Sequence, residues 1–417
     1  MQRRDFLRVV AQAAGSALAF GRATHGAEAA GNGESQGAKE YLRSIMPSRE
    51  RIAQFTEVMT PEESVQRSNG WTYDPELGWV HCPATHSNGV DKSKTFYSYE
   101  SDGARRVGHF ASKPCRIHAY GDSFTHCDQV SDGETWEEYL AAHLQEPIRN
   151  YGVGGYSVYQ AYRRMLKVEK QAGAGHIILN IYDDDHFRNL DAWRSIRSGP
   201  NSQCGFTLPH LRVNVGQGRC EQVENLLRTI GEVSKLRDED FIAKAFKDDP
   251  GLQLMLATRA AGGATPKTVS AIAASFGVPV AKPGSGNLVQ QIRQIHTEAS
   301  LYATRNVVSW FEKFVNGAGK KLLIILSFGR GNMASALAGG PRFDQGFVEW
   351  LRTKPYPVID MRDVFAQEYR QSRLEIGPFL NRFYNGHHTP AGNFFTAWAI
   401  KGRVAKWLDP APLPYRP

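Results

Sequence analysis

Beyond residue 113 the chain alternates between two hydrophobic rhythms. Short apolar runs ("CRIHAY", "PIRNYG", "HIILNIY", "KKLLIILSF", "YPVIDM") are separated by longer stretches whose apolar positions recur every three or four residues ("ETWEEYLAAHL", "SVYQAYRRMLKVEKQA", "NVVSWFEKFVNGA", "FVEWLRTK", "PAGNFFTAWAIKGRVAKWL"). The runs predict strands and the stretches amphipathic helices. Five strands separated by helices predict a parallel, doubly wound sheet, because parallel neighbours need a crossover connection. In such sheets ligands sit beyond the carboxyl ends of the strands.

The rhythm breaks twice. Residues 30–112 read as a linker, a short helix and a small β appendage, with turn signals at Asn69-Gly70, Asp74-Pro75 and Asp102-Gly103 between aromatic or β-branched runs. Residues 191 to about 300 are far too many for an ordinary loop. They predict a mainly helical insertion that caps or borders the site, with helices over "VENLLRTIGEVSKL", "EDFIAKAFKDD" and "PKTVSAIAASFG". The domain from 113 to 410 is thus expected to carry the insertion within it.

The N-terminus adds a targeting signal. Arg3-Arg4 stands directly before Asp5-Phe6-Leu7-Arg8, a weakly apolar run follows from Val9 to Phe20, and Ala27-Glu28-Ala29 offers a small-residue cleavage site. That order predicts a twin-arginine signal peptide over residues 1–29 and a periplasmic or secreted protein. The net charge of +8 falls to about +6 once the four arginines and two acids of this segment are removed. No further segment has the length and apolarity of a membrane span. No nucleic-acid motif and no long Lys/Arg block accompanies the positive charge, so a solvated surface is expected and no nucleic-acid partner. The five cysteines contain no C-x-x-C pair, which argues against zinc, and Cys204 with Cys220 could close a disulfide loop.

Three short stretches carry candidate chemistry. "AYGDSFTHCD" places Ser123 just past the first strand, in a turn that would expose its Oγ. A serine attacks an acyl carbon well only if a base takes its proton and donors await the oxyanion. "RNYGVGGYSVYQ" follows the second strand, and its glycines let backbone amides approach a ligand. "NGHHTPAGNFFTAWAIK" sets two histidines ahead of Pro390, which opens the last helix. The nucleophile-elbow pattern G-x-S-x-G is absent around Ser123 and elsewhere.

"GDSF", "NYGVGG" and "GHHTPAGN", in that order, resemble blocks I, II and V of the SGNH (GDSL) hydrolases over roughly residues 113–200 and 300–410. The resemblance implies a flavodoxin-like three-layer α/β/α sandwich with a five-stranded parallel sheet. It implies Ser123 as nucleophile, the Ser123 and Gly155 amides as oxyanion donors, and His387 as base, with His388 as the second choice. No cofactor and no metal are expected.

Two departures stand out. Where the family usually has an Asp, this chain has Tyr384 and Asn385, so Asn385 is expected to orient the imidazole, unless the site is a Ser-His dyad or draws on Asp183, Asp184 or Asp185. Where block III normally supplies an asparagine to the oxyanion hole, the alignment puts Asp184, with Asn180 and Asn189 as alternative donors; an ionised carboxylate there would repel the oxyanion. His186 beside the three aspartates is the alternative reading of this run as a metal site.

The expected function is an exported serine esterase acting on a small-molecule or polysaccharide acyl ester. Family, export route and aromatic content together favour an acetyl group on a carbohydrate. A periplasmic O-acyltransferase using the same acyl-enzyme, and a non-catalytic carbohydrate-binding protein on a degenerate hydrolase scaffold, are the alternatives.

Overall fold

The computed structural model describes residues 30–56, 70–171, 173–199, 206–260, 263–280 and 286–416. Residues 1–29, where a signal peptide is expected, Asn69 and Cys204 lie outside these. In chain order the strands are β1 (Trp71–Asp74), β2 (Gly78–His81), β3 (Ala84–His86), β4 (Thr95–Tyr97), β5 (Ile117–Tyr120), β6 (Arg149–Asn150), β7 (His176–Tyr182), β8 (His210–Asn214), β9 (Arg219–Val223), β10 (Lys321–Ser327), β11 (Val358–Asp360), β12 (Tyr384–Asn385) and β13 (His387–His388). Five of them form one parallel sheet in the order β6-β5-β7-β10-β11. This is a flavodoxin-like order, with helices covering the sheet.

The central strands are buried on both faces, which is why they read as continuous apolar runs and not as alternating ones. Every residue of β7 except Tyr182, and every residue of β10 except Lys321, is buried. Helix Leu288–Gly317 packs on helix Val158–Glu169, and helix Trp136–Leu144 packs on helix Pro390–Trp407. Local signals set the helix starts. Ser157 and Gln160 form a capping box, and Thr389 caps Pro390–Trp407 by accepting the Gly392 amide. No described helix is long and apolar enough to cross a membrane.

The β appendage is two hairpins, β1–β2 and β3–β4, that pack onto the sheet's carboxyl end. Leu77, Trp79, Ala84 and Tyr97 are buried, and Leu77 and Trp79 belong to the main core. The Asp74-Pro75 turn closes by side-chain chemistry: Asp74 Oδ1 accepts the amides of Glu76 and Leu77.

The insertion is less helical than its hydrophobic pattern predicts. It opens with the helix Arg194–Ser198 and then forms the antiparallel hairpin β8–β9. "VENLLRTIGEVSKL" is not one helix: Val223 ends β9, and only Ile230–Arg237 is helical, as 3₁₀. Two polar contacts divide it. Thr207 Oγ1 donates to Asn225 and accepts the Leu227 amide, tying that stretch down as loop, and Thr229 with Glu232 forms a capping box that starts a new segment. The other two expected helices form, as Glu239–Ala245 and Pro266–Phe276. The expected end of the insertion, near residue 300, falls inside the sheet-packing helix Leu288–Gly317.

Candidate active site

Ser123 begins the short helix Ser123–His126 directly after β5. Gly121 precedes it because nothing larger fits: an added Cβ would lie on Thr125 Oγ1 and 2.5 Å from the Asn180 carbonyl oxygen. Asp122 caps the helix through Phe124 N at 2.8 Å, and its other oxygen is 3.1 Å from Ser123 Oγ.

His387 comes to Ser123 from the hairpin β12–β13, with Nε2 2.9 Å from Ser123 Oγ. Its Nδ1 faces Gln129 Oε1 at 3.0 Å. The orientation of that amide is set by two other bonds: Gln129 Nε2 donates to the Asn88 carbonyl at 2.9 Å, and Oε1 accepts the His387 backbone N–H at 2.8 Å. An oxygen facing Nδ1 requires the proton on Nδ1. The lone pair on Nε2 is therefore directed at the Ser123 hydroxyl, as a general base requires.

Asn385 does not orient the ring. Its side chain donates to the Gly89 carbonyl at 3.1 Å, and Gln129 stands where Asn385 was expected. Sequence reading missed Gln129 because it lies 258 residues from His387 and follows no spacing rule. His388 turns into the core, buried against Phe124, Phe365 and Tyr384.

The three aspartates after β7 are separately engaged. Asp183 accepts from the Gly329 amide and from Asn332 Nδ2, and burial raises its pKa to about 6. Asp184 is bound by Arg188 Nε at 2.8 Å and by Arg197 at 2.7 and 3.0 Å. Burial alone would raise its pKa, but these guanidinium groups hold it well below the ordinary carboxylate range. Asp184 is thus an ionised anchor for two arginines and offers no proton to an oxyanion, contrary to the alignment with block III. Asp185 accepts from Arg188 Nη1 at 2.7 Å.

Of the two alternative donors, Asn189 has both ends of its amide engaged and Asn180 its oxygen. Asn180 accepts from Ser327 Oγ, and Asn189 bonds Tyr159 N and Thr304 Oγ1. His186 bonds Thr304 as well, away from the acids. What the acid run brings to the site is Arg188, which lies over the Tyr182 ring. Its Nη1 reaches Asp122 Oδ2 and the Tyr156 carbonyl, each at 3.1 Å.

The amides of Ser123 and Gly155 find no acceptor among the described residues. Gly155 has a φ of 79°, in the left-handed region that favours glycine, and its carbonyl accepts from Arg194 Nη2 at 2.9 Å. The insertion's first helix therefore touches the Gly154–Gly155 turn, and it reaches Asp184 through Arg197.

Beside the turn, His81, His126 and Asp128 present possible metal-ligating atoms within 4.8 Å of one another. The nitrogens are already committed. His81 Nε2 accepts the Gly154 amide and Nδ1 faces the Gly70 carbonyl, while His126 uses Nδ1 on Asp128 and Nε2 on Tyr99. The cluster fits a hydrogen-bonded support better than a metal centre. Burial would raise the pKa of Asp128, but the hydrogen bond from His126 holds it below the ordinary carboxylate range.

No protein-family model matches the chain, and no curated protein matches it significantly.

Proposed function

We propose that this chain is an exported serine hydrolase of acyl esters, working through a Ser123 acyl-enzyme. One observation carries the reading: Ser123 Oγ lies 2.9 Å from a histidine nitrogen whose tautomer Gln129 fixes as the proton acceptor. The N-terminal twin-arginine pattern supports export, and the resemblance to SGNH hydrolases supports an ester substrate, with a carbohydrate acetyl group as the favoured class.

In the first half-reaction Ser123 Oγ attacks the ester carbonyl carbon while His387 Nε2 takes the hydroxyl proton. The tetrahedral oxyanion meets the amides of Ser123 and Gly155. The intermediate collapses, the ester C–O bond breaks, and His387 returns the proton to the departing alcohol. Water then attacks the acyl-enzyme with His387 again as base, releasing the carboxylic acid and Ser123. Gln129 keeps the imidazole in place without adding charge.

A fluorophosphonate probe and 4-nitrophenyl acetate test this directly. The wild-type protein is expected to label and to turn over, and Ser123→Ala and His387→Ala to lose both by at least about 10³-fold. A folded wild-type protein that neither labels nor turns over ester would overturn the proposal.

A further inference from the structure

The peptide joining Gly154 to Gly155 is held at its carbonyl end and open at its amide end. Trp79 Nε1 donates to the Gly154 carbonyl at 3.1 Å, while the Gly155 N–H of the same peptide has no acceptor among the described residues. In a planar trans peptide the C=O and N–H point in opposite directions, so a donor that fixes one end aims the other. The residue before is fixed as well: Gly154 N donates to His81 Nε2 at 2.9 Å. His81 Nδ1 faces the Gly70 carbonyl at 3.1 Å, which leaves Nε2 as the acceptor. Trp79 and His81 are alternate residues of β2, and Trp79 is fully buried. Tyr156, just past the turn, donates its hydroxyl to the Trp79 carbonyl at 2.5 Å, so the residues on both sides of Gly155 are tied to one short strand.

The same hairpins hold the other half of the machinery. Gln129 N donates to Tyr97 Oη at 2.7 Å, and Gln129 Nε2 to the Asn88 carbonyl. Tyr99 bonds His126 next to the site at 2.8 Å.

We propose that Trp79 and His81 are positioning residues for the oxyanion donor Gly155, so that the β hairpins ahead of the sheet are a working part of the catalytic centre. This rests on the ester-hydrolase reading above. A rotated Gly154–Gly155 peptide would present a carbonyl to the oxyanion instead of an amide. The effect therefore belongs to the transition state more than to substrate binding, and appears in kcat before KM.

Trp79→Phe keeps an aromatic ring, though a smaller one, and removes the indole N–H. His81→Leu removes the acceptor for Gly154 N, and His81→Gln restores one at similar reach. Each is assayed on 4-nitrophenyl acetate and on its thiono analogue, in which sulfur replaces the carbonyl oxygen and accepts hydrogen bonds poorly. Trp79→Phe and His81→Leu are expected to lose about 10- to 100-fold in kcat with KM within about twofold. Their ester-to-thionoester rate ratio should fall toward that of a site missing one donor, and His81→Gln should recover most of the loss.

Folded variants with wild-type kcat and ratio would overturn the inference, as would a loss that leaves the ratio unchanged and is not rescued by His81→Gln. If Trp79→Phe does not fold, the two His81 variants decide alone. A wild-type protein that fails to label with fluorophosphonate overturns the hydrolase reading and this inference with it. Normal labelling of both wild type and variants, at equal rates, overturns only the inference.

Discussion

At the scale of single residues, Gln129 fixes the tautomer of His387. An amide oxygen can hold an imidazole in one tautomer as well as a carboxylate can, but it adds no charge to stabilise the imidazolium. In the proposed mechanism its contribution is therefore orientation, and Gln129→Ala should lower kcat on 4-nitrophenyl acetate by about 10²-fold or more with KM nearly unchanged. Gln129→Glu keeps both acceptors for His387 and should retain more activity than the alanine variant, although its second oxygen would face the Asn88 carbonyl that Nε2 now serves. Equal activity in Gln129→Ala and wild type would remove the orienting role. Ser123 and His387 were legible from their motifs because each stands at a fixed offset from a glycine turn or a helix start. Gln129 was not, because its part depends on the fold bringing the two loops together.

Among the elements, two tight turns decide whether that contact forms. After the helix Ser123–His126 the chain takes left-handed backbone at Cys127 (φ 61°) and again at Gln129 (φ 72°), which directs the Gln129 side chain back toward His387. Opposite it, Gly386 has a φ of 83°, and an added Cβ would sit 2.6 Å from Gln129 Oε1. Gly386→Ala should cost about 1–2 kcal/mol through the backbone alone and also displace the Gln129 oxygen. Urea unfolding would read the first effect and ester turnover the second; a variant unchanged in both would show that the hairpin yields freely. The "NGHH" stretch marked the histidines in the sequence, whereas nothing there marked the left-handed backbone at two non-glycine residues. Strain of that kind is held by tertiary contacts such as the Tyr97 hydroxyl on Gln129 N.

For the whole molecule, buried titratable groups oppose one another across the acid range. Burial lowers the pKa of His186 and His210 to about 4 and of His388 to about 3. An unfolded chain takes up those protons near pH 6.5, so the stability contributed by the neutral rings is full above that pH and is lost as the pH falls through 4 and 3. Asp183 and Asp249 shift the other way: burial raises both to about 6, and the folded state gains on the unfolded one as the pH falls from 6 to below 4. Glu169 is raised by burial but lowered further, to about 2, by hydrogen bonds from His118, Lys320 and Tyr120. Its contribution is present above about pH 4.3 and is lost as the pH falls toward 2. Asp128 and Asp184 are lowered carboxylates of the same kind. The urea midpoint should therefore fall gently from pH 7 to 5, where the three rings outweigh the two acids, and drop steeply below 4. A midpoint unchanged down to pH 5 would mean that the buried acids offset the histidines.

Hydrophobic periodicity by itself determined the parallel five-stranded sheet, its covering helices and the place of Ser123 at a strand end, because buried strands and amphipathic helices must repeat along the chain. Short motifs determined the two loops that meet at the Ser–His pair. Tertiary structure alone decided what completes the site. Gln129 in place of Asn385, arginines on Asp184 in place of an oxyanion donor, and the hold of β2 on the Gly154–Gly155 peptide all depend on contacts between segments far apart in sequence. Hydrogen bonds of that range have no period, and only the packed fold brings donor and acceptor within 3 Å.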